Sequence, residues 1–134
     1  MAITGSCLCG AVRYEVTGEP QRALNCCCKD CRKAGGGLFH YGIVIAEDDF
    51  KLLSGQLSAY ETTADSGNKI TRYFCPTCGS GIYNDPSVLP GIVVLRGGSV
   101  DEGALLPPTI ELFAESKPEW IEVTSIEHSF PRAR

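Results

Sequence analysis

Residues 75–79, CPTCG, form a C-x-x-C-G motif, and the interpretation of the whole chain starts from this turn. Its glycine permits a tight backbone that directs both cysteine sulfurs toward one metal ion. Zinc prefers four ligands in a tetrahedron, so this turn supplies only half of a site. The stretch Cys7-Leu8-Cys9-Gly10 offers a second pair with the same trailing glycine. We therefore predict a closed, structural zinc site formed by Cys7, Cys9, Cys75 and Cys78.

The remaining cysteines form a denser cluster in the segment CCCKDC, residues 26–31. Three of its sulfurs, from Cys26, Cys28 and Cys31, have a spacing suited to a second zinc ion. Three protein ligands leave a fourth position for water or substrate, and this open position distinguishes a catalytic zinc from a structural one. The sequence therefore predicts two zinc ions per chain, the second of them in an open site.

Two alternatives would close this second site. Cys27 could turn inward, although in extended backbone its side chain points away from those of its neighbours. His40 or His128 could instead supply a fourth ligand from a distant part of the sequence. We favour the open site because no fourth ligand stands at the usual short spacing.

Eight cysteines in 134 residues would also suit a disulfide framework or a set of redox-active thiols. All eight, however, fall into three tight clusters, at two- and three-residue separations that favour metal binding. The N-terminal sequence MAITGSCLCG lacks the basic and apolar regions of a secretory signal. We therefore expect a cytoplasmic protein, because thiols stay reduced in that compartment.

The composition is that of one globular domain spanning residues 1–134. Hydrophobic residues make up 43% of the chain and charged residues 21%, so extensive disorder is excluded. The net charge of −4 argues against nucleic-acid binding, which usually requires a basic face. No apolar run approaches the roughly 20 residues that a membrane helix needs, so we expect no membrane partner. The sequence makes no prediction about the oligomeric state.

Short strands dominate the predicted secondary structure, because apolar alternation is brief and 15 Gly with 8 Pro interrupt the chain. One helix of one or two turns is expected within residues 26–36, ending at a run of glycines. FKLL and LSAYET, at 50–53 and 57–62, are predicted to form a hairpin. The tail at 129–134 is expected to fray. The other predicted strands are 11–16, 39–46, 69–74, 92–96 and 109–113.

Four motifs together resemble the glutathione-dependent formaldehyde-activating enzymes, over roughly residues 3–122. The first is G-x-C-x-C-G-x-V-x-Y, from Gly5 to Tyr14. The second is C-x-C-x-x-C-R, which ends at Arg32, and the third is F-C-x-x-C-G, which begins at Phe74. A fourth, weaker match consists of Ser116, Lys117, Pro118 and Trp120. Seven cysteines match the family's cysteine positions, and this makes the resemblance specific for the fold and for metal binding.

The resemblance implies a mainly β, zinc-stabilised single domain made of several short, coiled antiparallel sheets, the β-tent fold. It implies structural zinc at Cys7, Cys9, Cys75 and Cys78, and catalytic zinc at Cys26, Cys28 and Cys31. The family's named reaction condenses glutathione with formaldehyde to S-hydroxymethylglutathione, or reverses that step as a carbon–sulfur lyase. The sequence departs from the family at Cys27, where relatives often have His.

An open zinc with three cysteine ligands can bind an incoming thiol as its thiolate, which is the nucleophile toward an aldehyde. Glutathione has two carboxylates, so nearby basic residues are candidate contacts, namely Lys29, Arg32 and Arg72. A solvated surface charge is the alternative role for each of them. No Ser–His–Asp arrangement, P-loop or dinucleotide motif is present, so hydrolase and nucleotide-dependent functions have no support.

Two non-enzymatic functions remain open beside this one. In the first, both metals are structural and the protein is a binding module. In the second, the cysteines at 26–31 act as redox or metal-responsive thiols. Trp120 is expected to pack in the core, and His40 is expected to be a packed or surface residue rather than a ligand. Tyr83 and Asn84, just after the CPTCG turn, could line a pocket.

Overall fold

The computed structural model describes residues 3–101 and 105–133, and these fold into two β-sheets with one short helix. The smaller sheet has three antiparallel strands in the order β1-β2-β5. Its strands are β1 (Ile3–Ser6), β2 (Arg13–Val16) and β5 (Phe50–Ser54). The helix α1 spans Lys29–Gly35, within the segment where the sequence predicts one or two helical turns. No helix in the described ranges could span a membrane.

The larger sheet has eight strands in the order β11-β10-β3-β4-β9-β8-β7-β6. Its pairings are antiparallel except at one edge, where β10 runs parallel to both β3 and β11. The mainly β class is therefore confirmed, with most strands gathered into one sheet. The strands are β3 (Arg22–Cys26), β4 (His40–Ala46), β6 (Ser58–Thr63), β7 (Lys69–Phe74), β8 (Gly81–Pro86), β9 (Ile92–Arg96), β10 (Ile110–Leu112) and β11 (His128–Ser129).

The hydrophobic core lies between the two sheets. Val12, Tyr14 and Val16 project into it from the smaller sheet, and all three are fully buried. Ile43 and Leu95 meet them from β4 and β9 of the larger sheet. This arrangement explains the alternation of apolar and charged residues in 11–16, because only one face of β2 is buried.

The predicted hairpin of 50–53 with 57–62 is wrong. Strand β5 pairs with β2 in the smaller sheet, while β6 pairs with β7 in the larger one. Gly55 lies between them with a φ of 84° and packs against the carbonyl of Ala11, where a side chain would clash. The Ser-Gly signal therefore marks a corner at which the chain leaves one sheet for the other.

Two expectations about the C-terminal region also need correction. Trp120 is 74% exposed, because it follows Pro118 in an irregular segment on the surface, outside the core. The tail expected to fray is hydrogen-bonded through residue 132: the carbonyls of Phe130, Pro131 and Arg132 accept from the backbone of 113–115. Strand β11 occupies the edge of β10, so the tail has backbone partners that local sequence does not reveal.

Candidate metal centres and cleft

The first cysteine cluster joins the two sheets. Cys7 and Cys9 lie in the turn between β1 and β2, and Cys75 and Cys78 lie in the turn between β7 and β8. Their four sulfurs all lie within 4.8 Å of one another. The Sγ–Sγ distance is 3.6 Å for Cys7 and Cys9 and 3.8 Å for Cys9 and Cys75. Sulfurs held about 2.3 Å from a tetrahedral ion lie about 3.8 Å apart, so this cluster has the dimensions of a zinc site.

The two turns of this cluster have the same backbone design. Gly10 N–H donates to the carbonyl of Cys7 at 3.1 Å, and Gly79 N–H donates to that of Cys75 at 2.9 Å. Both glycines have positive φ, 81° and 78°, which disfavours other residues. The backbone N–H of Val12 also donates to the Cys7 sulfur at 3.2 Å. Such N–H groups favour thiolates, the form in which cysteine binds a metal.

The second cluster lies at the junction of β3 and α1. Cys26 ends β3, Cys28 caps the helix and Cys31 lies in it, and their sulfurs are also within 4.8 Å of one another. Hydrogen bonds from the Cys26 and Cys31 thiols, helped by the Cys31 N–H at 3.3 Å, lower the pKa of Cys28. Among the described residues, no fourth Cys, His, Asp or Glu joins this cluster.

Cys27 lies on the opposite side of the chain from its neighbours. Its side chain is 1% exposed, and its N–H donates to the carbonyl of Leu112 in β10 at 2.9 Å. Burial, and next the charge of Glu111, raise the pKa of Cys27. This thiol therefore belongs to the packing between β3 and β10, and it stays outside the three-sulfur cluster.

A cleft with a volume of about 620 Å³ is lined by Cys7 of the first cluster and by His40, whose strand position is opposite Cys26 of the second cluster. The three sulfurs of the second cluster are not part of its lining. Its walls include Cys7 and Leu8 from one turn, Ser80 from the other, and Gly35 from α1. An adjoining cavity of about 190 Å³ shares Ala34, Gly79, Gly81 and Arg96 with it. The cleft volume falls within the range of small-molecule sites.

Several polar side chains lie on the sheet face that carries the cleft lining of His40 and Arg96. His40, Arg72 and Asn84 are all buried, and each has a side-chain atom without a hydrogen-bond partner. Arg96 lies beside them, with its guanidinium near the helix at Gly35. Burial, and then the charges of Arg96 and Arg72, lower the pKa of His40 to about 3, so its imidazole is neutral at physiological pH. No carboxylate among the described residues forms an ion pair with Arg72 or Arg96.

The three basic residues predicted to contact glutathione lie in different parts of the structure. Arg72 lines the smaller cavity, and its guanidinium donates to Thr62 Oγ1 at 2.9 Å. Lys29 and Arg32, however, line neither cavity, although the Arg32 Nε is buried without a hydrogen-bond partner. Arg96 was not predicted as a site residue, although it ends the apolar strand IVVLR immediately before two glycines. A charged residue at the end of a buried strand is the sequence signal that would have indicated Arg96 as a site residue.

The two remaining pocket candidates, Tyr83 and Asn84, line neither cavity. Tyr83 packs in the core, with its ring centroid 4.5 Å from that of Tyr73 and 4.8 Å from that of Phe50. Asn84 projects from the opposite face of β8 and lies across from Arg72. His40 is packed, as expected, and its ring does not join the second cysteine cluster.

Similar proteins are found among protein families, among curated proteins and among solved structures. A family model described as glutathione-dependent formaldehyde-activating enzyme matches residues 2–116. A Halomonas elongata protein, provisionally named as an enzyme of that kind, is 34% identical over 95% of this chain and 84% of its own length. The crystal structure of a Rhodobacter sphaeroides protein superposes with a TM-score of 0.60 at 25% identity, over 75% of this chain and 89% of that one.

Proposed function

This chain belongs to the glutathione-dependent formaldehyde-activating enzyme family, and from that premise we propose that it catalyses the condensation of glutathione with formaldehyde, or the reverse carbon–sulfur cleavage. One observation supports this most directly. Three cysteine sulfurs lie together without a fourth protein ligand in the described chain, and their neighbour His40, which has an unpaired buried nitrogen, lines the cleft. The cleft volume of about 620 Å³ suits a small molecule such as a tripeptide thiol.

The donor sets fit two zinc ions. Cys7, Cys9, Cys75 and Cys78 would hold a structural ion, and Cys26, Cys28 and Cys31 would hold the second. A second ion bound there would supply a centre that keeps an incoming thiol in its thiolate form near neutral pH. Because thiolate ligands must stay reduced, we propose that the protein works in the cytoplasm.

Two arginines, Arg72 and Arg96, give this site its preference for anions. Three thiolates and one divalent ion sum to a charge of −1, and the guanidinium groups of the buried Arg72 and the half-buried Arg96 bring the local charge to +1. In a poorly solvated site this excess favours entry of a thiolate over a neutral ligand. Arg72 also remains our candidate for a glutathione carboxylate contact, because it lines the adjoining cavity.

Metal content and catalysis should be measured on the same preparations. We expect two zinc ions per chain in the wild type, purified under reducing conditions without chelator. Cys28→Ser should lose one ion, stay folded and lose catalysis, because it removes one sulfur of the open cluster. Catalysis is measured as acceleration of the glutathione–formaldehyde exchange over the spontaneous rate, by exchange NMR.

The matched control is Cys27→Ala, which removes the adjacent thiol that points away from the cluster. It should keep two zinc ions and the wild-type rate. A wild type that binds two zinc ions without accelerating the exchange would contradict the proposed reaction. Reversible disulfide formation within 26–31 with release of the metal would instead favour the redox function.

A further inference from the structure

His40 has a buried nitrogen that nothing in the described protein satisfies. The side chain is 5% exposed, and its Nε2 atom has no hydrogen-bond partner. An unpaired buried polar atom destabilises a folded protein, so its presence calls for an explanation. A ligand that supplies the missing hydrogen bond is one such explanation, and His40 lines the cleft through which a ligand would enter.

The position of His40 brings it next to the second cysteine cluster. It begins β4 directly opposite Cys26 of β3. Directly opposed side chains lie on the same face of a sheet, with their Cβ atoms about 5 Å apart. Gly42 makes room for the ring on the other side, since a Cβ at that position would lie 3.1 Å from His40 Cε1. Gly42 in turn pairs with Arg96. The imidazole therefore lies on the sheet face that also carries Cys26 and Arg96.

The same geometry makes His40 a hydrogen-bonding group rather than a metal ligand. Its ring nitrogens fall outside the cluster that Cys26, Cys28 and Cys31 form. A neutral imidazole has one donor nitrogen and one acceptor nitrogen. A hydroxyl group both donates and accepts, so Nε2 can pair with a hydroxyl in either tautomer. A carbonyl oxygen that becomes an oxyanion pairs with the tautomer that carries its proton on Nε2.

We propose that His40 is a catalytic residue whose Nε2 binds the oxygen atom of the aldehyde. This inference rests on the proposed function. In the condensation, the thiolate sulfur forms a bond to the carbonyl carbon, and the π pair of the C=O bond moves to the oxygen. The Nε2–H group stabilises that oxyanion, and a proton from water completes the hydroxyl. Cleavage runs through the same contacts in reverse.

Two variants test this on the zinc-loaded protein. His40→Leu removes the hydrogen bond, and we expect kcat to fall about 100-fold with little change in KM for glutathione, as for loss of an oxyanion donor. Its zinc content should match the wild type, and its thermal midpoint should be equal or higher, because an unpaired polar atom is replaced by carbon. His40→Gln keeps a side-chain amide and should recover part of kcat.

A spectroscopic measurement reports on the contact itself. The chain has two histidines, so ¹⁵N spectra of the imidazole groups contain few signals, and the exposed His128 is an internal control. We expect the His40 Nε2 signal to move when glutathione and formaldehyde are both added, and to move much less with glutathione alone. The His128 signals should stay in place.

The outcomes separate this inference from the function on which it rests. If the wild type accelerates the exchange but His40→Leu keeps its kcat, or the Nε2 signal does not move, the role of His40 is refuted and the proposed function stands. A lower thermal midpoint with loss of zinc in His40→Leu would assign the residue to structure. If the wild type itself gives no acceleration, both proposals fail together.

Discussion

At the residue scale, the first motif is explained by one cross-strand contact. Gly5 lies opposite Tyr14, and a Cβ at Gly5 would enter the tyrosine ring. Tyr14 cannot move away, because it is fully buried and its hydroxyl is 2.7 Å from Ser99 Oγ. Ser99 Oγ in turn donates to the carbonyl of Arg96 at 2.8 Å. The glycine and the tyrosine therefore support the backbone that presents the arginine of the cleft.

We predict that Gly5→Ala lowers the free energy of unfolding by about 1–3 kcal/mol, because it overpacks this contact. Gly98→Ala is the matched control, since a Cβ there meets no heavy atom within 4 Å. That control should lie within about 0.5 kcal/mol of the wild type. Urea unfolding followed by tyrosine fluorescence measures both variants. Equal stability of Gly5→Ala and the control would show that Tyr14 can shift at no cost.

At the element scale, the C-terminal segment is attached through Glu111 of β10. One carboxylate oxygen lies 2.8 Å from Lys117 Nζ, and the other accepts from Ser129 Oγ at 2.8 Å. Burial raises the pKa of Glu111, but the Lys117 and Ser129 hydrogen bonds outweigh it, so the pKa lies below its usual value of 4.5. Strands β10 and β11 are only three and two residues long and form few backbone hydrogen bonds. The side-chain contacts of Glu111 therefore contribute a large part of the attachment.

We predict that Glu111→Gln is less stable than the wild type at pH 7 by about 1.5–3 kcal/mol, because it removes charge-assisted hydrogen bonds. A carboxyl whose pKa falls on folding stabilises the protein above its unfolded pKa, and this contribution disappears as the pH falls through the folded pKa. The difference between the two proteins should therefore shrink below about pH 4.5. Denaturant unfolding over a pH series measures it.

Glu115→Gln serves as the control, because its ion pair with Arg132 joins side chains that are 49% and 78% exposed. Exposed pairs contribute about 0–1 kcal/mol, so this variant should differ little from the wild type at any pH. A difference between Glu111→Gln and the wild type that does not depend on pH would contradict the role of the Glu111 charge.

At the scale of the whole molecule, the two cysteine clusters differ in how far apart in the sequence the segments they join are. The first brings together a turn of the smaller sheet and a turn of the larger sheet, so an ion bound there would cross-link the two sheets. The second lies within one stretch of chain, at the junction of β3 and α1. A metal that cross-links distant segments stabilises the fold more than one that closes a short loop.

We predict that a chelator removes the second ion first and leaves the fold intact, whereas loss of the first ion exposes the smaller sheet. Hydrogen exchange of the backbone amides in β1 and β2 should then accelerate, while exchange in β4 and β9 changes less. Cys78→Ser should lower the free energy of unfolding by more than about 3 kcal/mol, and Cys28→Ser by less. Equal losses in the two variants would show that the clusters do not divide their roles in this way.

Much of the chain could be predicted because its signals are local. Cysteines two and three residues apart indicate metal turns whatever lies around them, and the described structure brings together the sulfurs that those spacings pair. Alternation in residues 11–16 similarly indicates a half-buried strand, since side chains of a strand point to opposite faces. The hairpin was mispredicted because a Ser-Gly turn signal is the same whether two strands pair or part at a corner.

The sequence by itself determined the mainly β class, the cysteine pairs and the family, because these follow from residue type and short spacing. Only the tertiary structure decided that His40, Arg72, Asn84 and Arg96 lie on one sheet face that also carries Cys26 of the three-sulfur cluster. Their positions on β4, β7, β8 and β9 come from the register of four strands that are distant in sequence. A shift of one residue in any pairing would turn a strand's side chains to the other face, and local sequence does not specify that choice.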